Sequence, residues 1–201
     1  MKRFLSNSFC NFFLISFIFS KIVLFYSETH SKSKVLNCIT ELHDSLLKIS
    51  DKTITSEKLE LIDDMVQNSY DLEKMGKMII GVDWKKNDKI NQTEFINAFK
   101  RFISVNYFKR FNKIDKLDFE YHTVEVIGDK FRLARVILIA DNEKVNIDYL
   151  LNFKNEKWKI FDVLLDGSVS EISTKKSDFK KILNEEGIQG LIKNLRIRNQ
   201  L

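Results

Sequence analysis

Apolar residues recur at helical spacing through the first half of the chain. Val35, Leu36, Ile39, Leu42, Leu46, Leu47 and Ile49 fall on one face of a helical period. A second run opens at Ser56, passes Lys58-Leu59 and reaches Val66. A third carries Tyr70, Leu72, Met75, Met78 and Ile79 and stops at Gly81. After Trp84, the stretch Asn91-Gln92-Thr93-Glu94 has the make-up of a helix start. Phe95, Ile96, Phe99, Phe102, Ile103, Tyr107 and Phe108 then build a long aromatic and aliphatic face.

Beyond Phe119 the period shortens to two. Phe119, Tyr121, Thr123 and Glu125 alternate with Glu120, His122, Val124 and Val126. Phe131 to Ala140 reads as a strand, and Asp141-Asn142-Glu143 as a turn. Val145, Ile147, Tyr149, Leu151 and Phe153 alternate with Asn146, Asp148, Leu150 and Asn152; Asn155 turns the chain again, and Trp158 to Leu165 is a further strand. Helices around 176–186 and 188–197, separated by Gly187, close the chain, with Ser177 or Thr174 as the expected cap. Helices, then a meander of about four antiparallel strands, then a helical tail predict an α+β fold with helices over one face of the sheet.

Composition fits one globular domain: 201 residues, 44% hydrophobic and 30% charged, with Phe abundant and Pro absent. The net charge of +5 overstates the basicity. Lys2, Arg3 and Lys21 precede the first acid, Glu28; taking these three from the 33 basic residues leaves 30 against 28 acidic ones. The charges are interleaved, without the concentrated basic stripe of a nucleic-acid binder. The N-terminus reads as an export signal over residues 1–27: a basic start, then Phe9 to Phe19 apolar apart from Asn11 and Ser16. Ser27 or Ser20 could precede a cut, and an uncleaved anchor is the alternative. Residues 28–201 then form a single exported domain.

Chemistry-bearing patterns are sparse. Cys10 has no lipoprotein-box context, so Cys38 alone remains after export and cannot form an internal disulfide. His30, His43 and His122 are scattered and read as lone exposed residues, and no metal-site spacing occurs. Asp162 and Asp166 are the obvious acid candidates, but Asp166-Gly167 is a turn dipeptide, and the pair reads as the way the chain leaves a strand for a helix. The face of 95–108 is either plain core or a cavity wall. Lys109-Arg110, with Lys113 and Lys116, reads as a solvated helix end that could also meet a lipid phosphate.

Four ordered blocks shift the balance: "YDLEKMGKMIIGVDW" (Tyr70 to Trp84), "QTEFINAFKRFISVNYFKRF" (Gln92 to Phe111), "VNIDYLL" with "WKIFDVLLDG" (Val145 to Gly167), and "SEISTKKSDFKKILNEEGIQGLIKNL" (Ser170 to Leu195). Together they resemble the MlaC or toluene-tolerance family over roughly residues 35–197. "DGSVSE" departs from the family's commoner Gly-Val-Ser form by an extra residue.

The resemblance implies a periplasmic carrier, not an enzyme, that shuttles phospholipid between an outer-membrane lipoprotein complex and an inner-membrane ABC transporter complex. Acyl chains would sit between the helices and a curved sheet, with bound phospholipid as cargo and no other cofactor, and the protein would act as a monomer. On this reading the sheet wall is Val145, Ile147, Tyr149, Leu151 and Phe153, continued by Trp158 and Ile160. The helical wall is Phe99, Phe102, Tyr107 and Phe108, with Leu72, Met75 and Met78 nearby, and Lys109 and Arg110 stand at the head-group rim. Two alternatives stay open: a carrier of another apolar lipid, hopanoid-like, and a cone-fold isomerase using His122 or Asp148. Asp148 alternates opposite to Ile147 and Tyr149, so it is expected outside the cavity.

Overall fold

The computed structural model describes residues 32–49 and 56–200; the expected export segment 1–27, with Cys10, and His30 lie outside them. From Val35 onward the chain forms one compact unit. Helix α1 spans 32–49 and buries Val35, Ile39, Leu42, Leu46 and Ile49 of the expected stripe, while Leu36 at its edge is half-buried and Leu47 is exposed. Helices α2 (Ser56–Ser69) and α3 (Leu72–Ile80), a short 3₁₀ segment (Gly81–Lys86) and the long α4 (Lys89–Phe111) follow.

Local chemistry sets the ends of these helices. The Asp71 carboxylate accepts the Lys74 amide at 3.2 Å and caps α3; Asp88 accepts the Asn91 amide at 2.7 Å and starts α4 slightly before the expected Asn91. Lys109 and Arg110 occupy the last turn of α4, where positive charge suits the helix dipole. Gly76 lets α3 close on α4: a Cβ there would lie 3.1 Å from the rings of both Phe95 and Trp84.

The second half is a meander in the order β1-β2-β3-β4-β5, every pairing antiparallel. Strands β1 (Leu117–Ile127), β2 (Phe131–Ala140), β3 (Glu143–Lys154) and β4 (Lys157–Leu165) match the four expected, and a two-residue β5 (Val169–Ser170) is added. Asp141 and Asn142 (φ 50° and 79°) and Asn155 and Glu156 (φ 49° and 63°) make two-residue hairpin turns with both residues left-handed.

Two bulges separate the observed sheet from simple alternation. On β1, Tyr121 pairs with Val136 but Val124 with Ala134, so two residues oppose Arg135 alone. On β4, Asp162 pairs with Leu150 but Ile160 with Leu151, which leaves Phe161 extra. Each bulge bends its strand and switches which parity faces inward. The expected face of Phe119, Tyr121, Thr123 and Glu125 is therefore broken: Val124 follows Tyr121. On β4, Trp158 and Ile160 share a face with Val163 and Leu165, and Asp162 is turned away from it.

Asp162 is the corner that joins sheet to tail. Its side chain is buried and accepts the Ser170 hydroxyl at 2.6 Å and the Ile172 amide at 3.1 Å. Ser170 in turn accepts the Ser173 amide at 3.0 Å and is the N-cap of α5 (Glu171–Arg198). The cap is thus Ser170, not Ser177 or Thr174. The helix starts earlier because Asp162 fixes the hydroxyl that caps it. Gly187 breaks α5 at φ 65°, ψ −164°, a region closed to residues with a side chain. A Cβ at Gly187 would meet nothing within 4 Å, so only backbone strain opposes it.

Replacing Gly187 with Ala is expected to lower unfolding stability by about 1–3 kcal/mol through that strain alone. Urea denaturation of the two proteins measures it; equal midpoints would mean the kink relaxes without cost.

Candidate binding cavity

Helix α4 packs against α2, α3 and α5, and its rings Phe95, Phe99 and Phe102 form a stacked row. Phe95 and Phe99 lie 5.6 Å apart and parallel, Phe99 and Phe102 6.3 Å, and Phe102 meets Phe179 of α5 edge-on at 6.0 Å. Between this ladder and the sheet is a cavity of about 350 Å³. Its sheet side is Leu138, Val145, Ile147, Tyr149, Val163 and Leu165, and its helical side includes Met75, Phe99, Phe102, Ile103, Tyr107 and Phe111. The deep end is closed by buried Tyr70, Met75, Phe99 and Tyr149. The other end, at Ile114, Leu138, Val145 and Leu165, is only partly covered.

The expected wall is gathered in part. Met75, Phe99, Phe102, Tyr107, Val145, Ile147 and Tyr149 line the cavity, and Arg110 stands at its edge. Leu72, Phe108, Leu151, Trp158 and Ile160 are buried but do not line it; they belong to the solid core. Met78 and Phe153 face away, at 37% and 53% exposure. Met78 sits one helical step off the buried stripe of α3, and Phe153 lies near the β3–β4 turn, against Trp158 at 5.4 Å. Lys109 is exposed and donates to the Gln200 carbonyl at 3.3 Å, away from the rim.

Several lining residues were not expected. Val163 and Leu165 were hidden by the β4 bulge, whose position no residue type announces. Leu138 pairs with Val145 and could have been found from the hairpin register, since residues opposite on adjacent strands share a face. Glu171 and Lys175 come from the first turns of α5, which begins earlier than its sequence suggests.

Polar atoms beside the chamber satisfy one another. The Tyr70 and Tyr107 hydroxyls are hydrogen-bonded together. His43 of α1 was expected on the surface but is fully buried, stacked 3.7 Å from Phe119. Its Nδ1 bonds the Tyr121 hydroxyl and its Nε2 the Tyr149 hydroxyl, each at 2.9 Å. The ring therefore ties α1 to β1 and β3. Burial pushes its pKa down to about 3, so it is neutral, with one nitrogen donating and the other accepting. Burial likewise raises the hydroxyl pKa values of Tyr70, Tyr107 and Tyr149.

The charged residues lining the cavity are Arg110, Glu171 and Lys175, each reached by solvent. Lys175 lies 3.8 Å from Glu171 and 3.7 Å from Asp178. His122 and Asp148 lie elsewhere, in a polar hollow on the opposite face of the sheet with Arg135, Asn146 and Asp166. Asp148 is 3.8 Å from Arg135, and His122 is half-exposed near Glu120, so neither reaches the apolar chamber. The thiol of Cys38 is pushed up to about 11 by burial and is protonated at neutral pH. Among the described residues, no group of three or more His, Cys, Asp or Glu could hold a metal ion.

A family model described as MlaC protein matches residues 37–197. Among solved structures, the chain is similar to a phospholipid-binding protein from Ralstonia solanacearum in complex with a phospholipid. The two are 18% identical; the match covers 84% of this chain and 96% of that one, with a TM-score of 0.71. A cystatin-like domain of unknown function from Nostoc punctiforme is 15% identical over 48% of this chain and 69% of its own, at a TM-score of 0.30, too low to inform the fold. A comparison with curated protein sequences finds no match.

The buried neutral His43 makes stability depend on pH. Its folded pKa, about 3, lies below its unfolded value of 6.5, so the unfolded chain binds the extra proton as pH falls. Its contribution is fully present above 6.5 and is lost progressively toward 3. Between pH 7.5 and 5 the loss is expected to be about 2 kcal/mol. His43→Gln should flatten that slope in urea titrations, and an unchanged slope would place the pH dependence elsewhere.

Proposed function

This chain belongs to the MlaC family, and we propose that it is a carrier that encloses phospholipid acyl chains in the cavity between α4 and the curved sheet. The observation that carries this reading is the chamber itself: aromatic and aliphatic on both walls, self-satisfied in its polar atoms, and charged only toward the open end. Each methylene moved from water into such a chamber gains about 0.8 kcal/mol, so ten of them gain roughly 8 kcal/mol. Free transfer of a diacyl lipid through water is correspondingly slow, and a soluble carrier removes that barrier. The phosphate stays at the mouth, because burying its charge would cost more than the tails gain. The Ralstonia protein, which shares the fold, is in complex with a phospholipid, and that supports phospholipid as the cargo.

The wider role follows the family. The protein is exported to the periplasm by residues 1–27, acts as a monomer, and shuttles lipid between an inner-membrane ABC transporter complex and an outer-membrane lipoprotein complex. A hopanoid-like cargo fits less well. Arg110, Glu171 and Lys175 suit a charged head group, and a ligand that is apolar nearly throughout would leave them facing hydrocarbon.

Native mass spectrometry of the purified protein is expected to find phospholipid bound, and consistently empty protein after incubation with liposomes would overturn the carrier reading. Val163→Glu places a charge on the half-buried cavity wall. It should keep the far-UV circular dichroism of the parent and lose most of the lipid load. Leu151→Glu, in the solid core, should instead unfold the protein, leaving an unpaired buried charge. A folded Val163→Glu protein with a full load would also contradict the reading.

A further inference from the structure

Each tyrosine hydroxyl beside the cavity has a hydrogen-bond partner, yet not every proton has an acceptor. The His43 set closes its count. Nδ1–H donates to the Tyr121 hydroxyl, the Tyr149 hydroxyl donates to Nε2, and Tyr121, 40% exposed, gives its own proton to water. The opposite tautomer would leave the proton of buried Tyr149 unused. Tyr70 and Tyr107 have no such solution. They bring two O–H groups to one hydrogen bond, so whichever donates, the other keeps a proton to give. Among the described residues neither hydroxyl has a second partner. Tyr70 is buried, and the amide of its neighbour Asp71 donates to the Ile160 carbonyl of β4 at 2.8 Å. Tyr107 reaches it from α4, half-buried, with the ring centres 6.4 Å apart. Both line the cavity, so the missing acceptor has to come from what fills it.

We propose that the Tyr70–Tyr107 hydroxyl pair is a donor site for an acyl ester carbonyl of the cargo. This rests on the carrier reading and adds a preference for the linkage between glycerol and tail. An O–H without an acceptor in an apolar chamber carries a desolvation cost that a carbonyl oxygen removes. A single water there would need two to four polar partners, and most residues lining the cavity are aromatic or aliphatic. The depth also suits an ester. Arg110 lines the cavity one helical turn beyond Tyr107, a rise of about 4.5 Å. In a phospholipid the esters branch from the glycerol just below the phosphate, so a phosphate near Arg110 brings them level with Tyr107. The tails themselves offer no acceptor. The site therefore reads a part common to all diacyl phospholipids and is blind to the head group.

Selection is read by exchange. The full chain, delipidated, is incubated with vesicles of equal parts diester and diether phosphatidylcholine with matched chains, re-isolated, and its bound lipids are counted by mass spectrometry. The two lipids share head group and tails, and the diether lacks the carbonyls. The parent protein is expected to hold the diester enriched about two- to tenfold over the vesicle ratio, the range one hydrogen bond supplies. Y70F and Y107F each leave one O–H and should still favour the diester. The double variant Y70F/Y107F has neither and should load at the vesicle ratio. A parent protein that loads at the vesicle ratio, or a double variant with the parent's preference, would overturn the ester site and leave the carrier intact. A parent protein that takes up neither lipid would overturn the carrier reading, and the ester site with it.

Discussion

A straight helix cannot stay in contact with a curved sheet along its whole length. Helix α4 is 23 residues long, and a helix of that length extends about 34 Å. The sheet beneath it is bent by two bulges, at His122-Thr123 and at Phe161, on strands that flank β2 and β3. Where sheet and helices close together, Leu151 and Ile160 are fully buried and the core is solid. Toward the mouth they diverge, and the space between them is the cavity. Large aromatic side chains could fill such a gap by changing rotamer. Here they are fixed instead: Phe95, Phe99 and Phe102 stack on one another, and Phe102 leans on Phe179. The chamber persists because its wall residues already have partners.

The same logic governs the polar atoms. An apolar chamber cannot tolerate unpaired hydroxyls, since each would cost a lost hydrogen bond. Tyr70 is paired with Tyr107, and Tyr149 with His43, which in turn bonds Tyr121. These links join α1 to β1 and β3, and α4 to the junction of α2 and α3, so satisfying the hydroxyls also braces the elements around the space. On the outer side, Lys154 joins β3 to the start of α3 through Asp71 at 2.8 Å and Glu73 at 3.0 Å. Burial alone would raise the Asp71 carboxyl, but the bonds from Lys154, Asn152 and the Lys74 amide outweigh it and hold its pKa below the ordinary value. Two kinds of tie thus hold the helices to the sheet: neutral hydrogen bonds beside the cavity, and ionic ones from Lys154 to the carboxylates at the start of α3.

How much of this could be read from the residues depends on distance along the chain. Helices α1 to α4 and strands β1 to β4 follow from local periodicity, and Gly187 divides α5 as its freedom of φ requires. The faces of β1 and β4 do not follow, because a bulge inserts one residue without a compositional mark. Val163 and Leu165 thereby entered the wall, while Trp158 and Ile160 stayed in the core. His43 was misjudged for a related reason. A single histidine on a helix carries no sign of its surroundings, and its two tyrosine partners lie 78 and 106 residues away. Met78 and Phe153 were misplaced because hydrophobicity marks a tendency to be buried, and chains expose some apolar residues regardless.

The position of α5 joins these strands of argument. Its start is fixed by Asp162, which reads in sequence as a possible acid and in the fold as a ligand for the Ser170 hydroxyl and the Ile172 amide. The β4 bulge is what turns Asp162 out of the chamber and toward that corner. Had β4 kept its alternation, the carboxylate would have pointed at the acyl-chain space, where an unpaired charge is costly, and α5 would have lost its anchor. One extra residue therefore does two things at once. It brings Val163 and Leu165 into the wall, and it frees Asp162 to set the first turn of α5, which delivers Glu171 and Lys175 to the mouth. The apolar interior and the charged rim are two consequences of the same break in the strand.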